Sequence, residues 1–165
     1  MVTMPSAVAT YKESGRTIER KARLRLWIRL LRTSRFIEGV IRERLKWQFN
    51  ATLPRFDVMA ALYRQPDGML MSEIARFLIV SNGNITGIVD RLVAEGFVAR
   101  SRRNGDRRTS FITLTRRGRA AFAAMAAANE RWIDELLSGI SLRDAEHLSA
   151  KLKRCSNSSA IKRPS

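Results

Sequence analysis

The stretch SNGNITGIVDRLVAEGFVAR, from Ser81 to Arg100, restricts the fold more than any other part of the chain. Ile85, Ile88, Val89 and Leu92 fall at i, i+3, i+4 and i+7, which is one apolar stripe of a helix. Gly96 ends that helix by supplying a left-handed C-terminal position. The opposite face is bare, because Asn82, Gly83, Asn84 and Gly87 are poor helix formers. A helix with so complete an inner face and so empty an outer one owes its outer residues to something other than its own stability.

The flanks show what this helix belongs to. PRFDVMAALYRQ reads as a helix opened by Pro54, with Phe56, Met59, Ala60 and Tyr63 on one face, and Pro66-Asp67-Gly68 is a turn signal. SEIARFLIV reads as a short helix capped by Ser72 with Ile74, Ala75 and Leu78 inward, and Ser81 can cap the next. After Gly96, FVARSRR and SFITLT carry β-favouring residues on either side of Asn104-Gly105-Asp106, a hairpin signal. Helix, short helix, tight link, helix and basic hairpin is the order of a winged helix-turn-helix. The expected fold class is mainly α with a small β-hairpin wing and long helices at both ends.

In this arrangement the second helix lies in the DNA major groove with its N-terminal residues against base edges. Gly83 and Gly87 remove side-chain bulk, while Asn82 and Asn84 offer donors and acceptors together, the pattern that reads adenine. Ser81 and Thr86 can hydrogen-bond phosphates, and Arg91 reaches backbone or a guanine. Capping alone explains Ser81 but does not call for two glycines in the first two turns. In the hairpin, Arg100, Arg102, Arg103, Arg107 and Arg108 surround one carboxylate, Asp106. A guanidinium fits a narrow minor groove, and Asp106 is placed to orient Arg108. A solvated basic turn is the plain alternative for the hairpin.

Charge supports the same partner. The chain carries 31 Lys and Arg against 15 Asp and Glu, a net charge of +16, which points to a polyanion. The excess is concentrated: Arg16 to Lys46 has net charge +8, and Arg100 to Arg119 has +7. The first window lies in a long basic helix expected from about Arg20 to Phe49. Residues 1–15 read as loose. Beyond Thr115, a possible cap, a long Ala-rich helix carries Phe122, Met125, Trp132 and Leu136. Ser141 can start a last helix, and the tail from Ser156 reads as frayed.

Other functions find little support. No apolar run is long enough to span a membrane, and no signal-peptide pattern opens the chain, so a cytoplasmic location is expected. Cys155 is the single cysteine and His147 the single histidine, which leaves neither a metal site nor a catalytic triad. No nucleophile elbow or phosphate-cradling glycine loop occurs, so no enzyme and no cofactor is expected. Cys155 stands beside Lys153 and Arg154, which favour a thiolate, but near the expected frayed end.

The segment SEIARFLIVSNGNITGIVDRLVAEGFVARSRRNGDRRTSFITLTRRGRAAF resembles the MarR family of bacterial winged helix-turn-helix regulators. The signature is I-T-x-I-V-D-R-L-x-x-x-G-x-V-x-R from Ile85 to Arg100, then D-x-R at Asp106 and Arg108, then L-T-x-x-G from Leu114 to Gly118. The order of elements matches over roughly residues 20 to 155. The resemblance implies one domain over 16–155. Residues 16–50 and 116–155 would supply dimerisation helices and 54–115 the DNA-binding lobe. It implies a homodimer on a pseudo-palindromic double-stranded operator, nucleoid-associated when bound, with Arg108 at the position of the inserted wing arginine. Arg107 beside it departs from the pattern by doubling the charge at the tip.

The resemblance further implies repression released by a small molecule, often an aromatic acid or a coenzyme A thioester. LRLWIRLLR with TLPRFDVMAAL looks like the branch tied to aromatic-compound catabolism. Trp27, Leu31, Phe56, Met59, Tyr63 and Phe122 are the candidate effector contacts, with ordinary core as the alternative for each. An architectural DNA-binding protein without an effector would share the charge. The asparagines of the recognition helix speak for base reading instead.

Overall fold

The structure, a computed structural model, describes residues 7–78, 82–102 and 110–156. In chain order its elements are α1 (Ala7–Phe49), α2 (Leu53–Arg64), β1 (Met69–Leu70), α3 (Met71–Leu78) and α4 (Asn82–Ala94). β2 (Val98–Arg102), β3 (Ser110–Leu114), α5 (Arg116–Leu136) and α6 (Leu142–Ser156) follow. The chain divides after Phe122 into two units, so α5 runs from one into the other.

The first unit holds the winged helix. Ile85, Val89 and Leu92 of α4 are buried as the stripe requires, and Ile88 is half-buried at its edge. They join Leu45, Val58, Leu62, Ile74 and Ile112, all essentially inaccessible, in one core. The stripe ends where expected. Gly96 has φ +74, its N–H donates to the Val93 carbonyl at 2.9 Å, and the Phe97 N–H reaches back to the Leu92 carbonyl at 2.9 Å. That pair of bonds is a Schellman stop, and it turns the chain into β2.

β2 and β3 pair antiparallel from Val98 opposite Leu114 to Arg102 opposite Ser110. The hairpin has a third strand that periodicity did not predict. β1 pairs with β3, Met69 opposite Ile112, giving the order β1-β3-β2. A two-residue strand is too short to show an alternation. Its pairing depends on Gly68, which has φ +91 and whose missing Cβ would lie 2.7 Å from Thr113 Cγ2.

Three expectations need correction. α1 starts at Ala7, not near Arg20, so residues 7–15 are helical rather than loose; Ala7, Ala9, Lys12 and Glu13 are good helix formers with no proline among them. α2 buries Val58, Met59, Ala61 and Leu62, whereas Phe56 and Ala60 are half-buried and Tyr63 is exposed. The single-stripe reading failed there because α2 packs against α1, α3, α4 and β3 together. Ser72 lies inside α3 and does not cap it. Instead the Leu70 N–H donates to the Glu73 carboxylate at 2.8 Å, the return half of a capping box.

The second unit comprises the remainder of α5 and α6. Met125, Ala128 and Trp132 are buried along α5. Ser141 caps α6 as expected, its hydroxyl accepting from the Asp144 N–H at 3.2 Å and donating to the Asp144 carboxylate at 2.7 Å. Leu148 and Leu152, one turn apart on α6, remain nearly half exposed.

Candidate nucleic-acid interface

Gly83 and Gly87 of α4 have no packing reason to be glycine. A Cβ built on either would meet nothing within 4 Å. Both are exposed, on the side of α4 away from the Ile85–Val89–Leu92 stripe. The fold would accept larger residues there, and each glycine costs a helix interior about 0.8–1.0 kcal/mol relative to alanine. The fold itself does not explain the bare face.

Beside it lies a groove of about 510 Å³, lined by Thr52, Pro54, Arg55 and Asp57 from the start of α2, by Leu78, and by Gly83, Gly87, Ile88 and Arg91 of α4. Thr52 precedes α2 without spending its hydroxyl on a cap hydrogen bond. Arg55 forms an ion pair with Glu95 just beyond α4, and its Nε is buried without a hydrogen-bond partner. Spacing gave no hint of Arg55 or Asp57, because they come from the start of α2 and meet α4 and the neighbouring Glu95 only in the folded protein.

Burial pushes the Asp57 carboxyl above its ordinary 3.8, and the neighbouring Glu38 carboxylate adds to the rise. A folded-state pKa above the unfolded one means that ionised Asp57 costs stability. The cost is absent below the unfolded value, grows as the pH rises through the window between the two, and is complete above the folded value. Asp57→Asn is therefore expected to raise the melting temperature at neutral pH and leave it unchanged in strong acid. Thermal melts at both pH values check this, and an equal shift at both would remove the titration as its cause.

Two side chains hold α4 in register with the wing. Arg100 of β2 pairs with Asp90 of α4. The structure thus gives this arginine, read from sequence as a DNA contact, a partner within the chain. Thr115 does the rest. Its N–H donates to the Phe97 carbonyl at 3.0 Å, and its hydroxyl donates to the Gly96 carbonyl at 2.8 Å and accepts from the Gly118 N–H at 2.9 Å. One residue thereby caps α5 and clamps the turn that follows α4. Gly118 sits so close to that turn that its Cβ would lie 1.9 Å from the Phe97 carbonyl oxygen. Arg117 adds a cation–π contact, 4.8 Å above the Phe97 ring. The L-T-x-x-G motif is thus a joint between recognition helix, wing and α5.

Of the other sequence-derived DNA contacts, Arg91 and Thr86 are exposed on α4. Asn82 and Asn84 fall in its first turn by backbone, and Arg102 ends β2. Ser81, Arg103, Asp106, Arg107 and Arg108 lie outside the described residues.

The effector candidates separate. Phe56, Tyr63 and Phe122 form one aromatic cluster, with ring centroids 5.4 Å apart for Phe56–Phe122 and 4.9 Å for Tyr63–Phe122. Tyr63 is 45% exposed, so the cluster opens to solvent. Met59 is buried core, while Trp27 stands exposed on α1 and Leu31 half-buried a turn beyond. Among the described residues no His, Cys, Asp or Glu group is arranged to hold a metal ion, and no helix is long and apolar enough to cross a membrane.

The family model for the MarR family matches residues 51–110, from the approach to α2 to the start of β3. The transcriptional activatory protein BadR of Rhodopseudomonas palustris is 33% identical over 58% of this chain, a match that spans 57% of its own length. The HTH-type transcriptional regulator MhqR of Bacillus subtilis is 30% identical over 79% of this chain and 89% of its own. The crystal structure of a MarR family transcriptional regulator from Silicibacter pomeroyi superposes with a TM-score of 0.70 at 31% identity, covering 85% of this chain and 96% of that one. These relatives are regulators, not enzymes. With the signature, the three-stranded wing and the open recognition helix in agreement over most of its length, the chain belongs to the MarR family of transcriptional regulators.

Proposed function

We propose that the protein is a homodimeric, sequence-specific DNA-binding regulator, most simply a repressor released by a small aromatic ligand or its coenzyme A thioester. The observation that carries the DNA-reading part is the open face at Gly83 and Gly87, glycines that the fold itself does not require. α4 enters the major groove, Asn82 and Asn84 meet base edges, and Arg91 and Thr86 serve the flanking phosphates or a guanine. The wing arginines follow the minor groove, with Arg107 or Arg108 inserted. Arg100, held by Asp90, sets the angle between wing and helix.

Exposed apolar side chains support the dimer. Leu24, Trp27 and Ile28 are open on α1, and separately Leu142, Leu148 and Leu152 are open on α6. Covering the exposed part of each gains a share of the about 1.5–3 kcal/mol that full burial of an apolar side chain gives, and a second copy of the chain would provide that cover. Two recognition helices would then reach successive major grooves about 34 Å apart. The exposed edge of the Phe56–Tyr63–Phe122 cluster supports an aromatic effector, which must favour the dimer whose helices are badly spaced for DNA.

A footprinting titration on the protein's own upstream DNA, with random duplex as competitor at fixed salt, tests the reading. A protected site with two half-sites one helical turn apart supports it, and uniform coating supports an architectural protein instead. Transcription from that fragment reads the sign of regulation, which matters because the R. palustris relative is named an activatory protein. On the protected site, Asn84→Ala is expected to cost about 1–3 kcal/mol per half-site and to relax base preference. Arg108→Ala is expected to weaken operator and random DNA more nearly alike. Equal losses on all sequences for both variants would remove the base-reading role of Asn84.

A further inference from the structure

The first of the two charge concentrations takes no part in the site above. Residues 16 to 46 carry a net charge of +8. Among the α1 side chains described, from Thr17 on, the buried ones, Ile41 and Leu45, sit near its C-terminal end, and every residue from Thr17 to Arg29 is exposed. Lys21, Arg25, Arg29 and Arg32 follow at intervals of four, four and three, so they share one face of the helix. All four are exposed, and among the described residues none has a carboxylate partner. Arg23 takes Glu19 and Arg42 takes Glu38, off that face.

Four residues advance about 6 Å along a helix, close to two phosphate steps of one duplex strand. Arg25 lies roughly 24 Å along the axis from Ile41, about twice the width of the major groove that α4 would occupy. The geometry points to a second DNA-binding face on α1, formed by Lys21, Arg25, Arg29 and Arg32. It takes the phosphate backbone of a second duplex segment without regard to sequence, a use it has only if, as proposed above, α4 holds a first. A membrane surface is the poorer fit. The apolar stripe that flanks this face, Leu24, Trp27, Ile28 and Leu31 at helical spacing, is the one the dimer would cover, which leaves the basic face no free apolar side chains to insert.

The test saturates the full-length protein with unlabelled duplex carrying the footprinted site, then titrates a fluorescent random-sequence duplex. The wild type is expected to capture the second duplex, and the triple variant R25Q/R29Q/R32Q to lose at least tenfold in that capture while binding the first duplex within twofold. The log–log salt slope of capture should fall by about 2.7, or 0.9 for each phosphate no longer neutralised. The triple lysine variant, which keeps the charges, should capture as the wild type does. Capture unchanged in the glutamine variant overturns the second face. So does equal loss of both duplexes, which would place α1 on the operator surface, and so does binding of phosphatidylglycerol vesicles without duplex capture. Absence of any preferred site in the footprint is a separate result, and it strikes α4 rather than α1.

Discussion

Gly87→Leu is expected to abolish site-specific DNA binding, with a loss of about 100-fold or more, while the protein melts at the same temperature or higher. The two halves of this result come from one observation. Nothing in the fold lies within 4 Å of the position a Cβ would take at Gly87, so leucine has room and removes a poor helix former from α4. The same side chain would project from the face that must approach the bases and hold the helix off the groove floor. Breaking one bidentate pairing with a base costs about 1–3 kcal/mol, and a dimer suffers this in both half-sites. The free energy of a hundredfold change, about 2.7 kcal/mol, is a modest sum beside that. Anisotropy titrations on the protected site and a thermal melt check the two halves. Unchanged binding would show that the start of α4 does not approach DNA. A lower melting temperature would show that Gly87 serves the fold after all.

Gly118→Ala is expected to act in the opposite sense, destabilising the fold by about 3 kcal/mol or more, at the upper end of overpacking costs. Its Cβ would lie 1.9 Å from the Phe97 carbonyl oxygen and 2.8 Å from the carbonyl carbon. These are backbone atoms, and they cannot withdraw freely. That oxygen accepts from the Thr115 N–H at 3.0 Å, and the Phe97 N–H closes the end of α4 on Leu92. A chain of this size should lose about 10 °C in melting temperature. DNA binding should fall with it, because the joint sets the angle of α4. A melt indistinguishable from wild type would mean that α5 can shift against the turn, and the joint would lose its importance. Gly83→Ala is the matching control, since that position is open.

These two glycines show how far the sequence could be read. Gly87 stood out because a weak helix former sits on the outer face of a helix whose inner stripe is regular, a conflict visible in one dimension. Gly118 carried no such mark. It was marked only as the last residue of the L-T-x-x-G signature, with no physical reason attached, and the approach of Phe97 reveals why nothing larger fits. α4, its stop at Gly96 and the pairing of β2 with β3 were legible because each is dictated by residues within a few positions. β1 was not, because its two residues are ordered by β3, far along the chain.

The candidate site divides along the same line. Asn82, Gly83, Asn84, Thr86 and Arg91 were readable as one helix face. The second wall of the groove, Thr52 to Asp57, was not, and Arg100 looked like a free cation until Asp90 was found beside it. The effector candidates suggested by the family resemblance were sorted by the fold into an aromatic cluster of Phe56, Tyr63 and Phe122, a core methionine, a half-buried Leu31 and an exposed tryptophan. The sequence by itself pointed to the kind of partner, through charge, and to the helix proposed to meet it, through an apolar stripe with a bare reverse side. Tertiary structure alone decided which charges remain free to meet that partner and which glycines cannot be replaced. Pairing and close approach depend on distances between residues remote in the chain, and those distances exist only after folding.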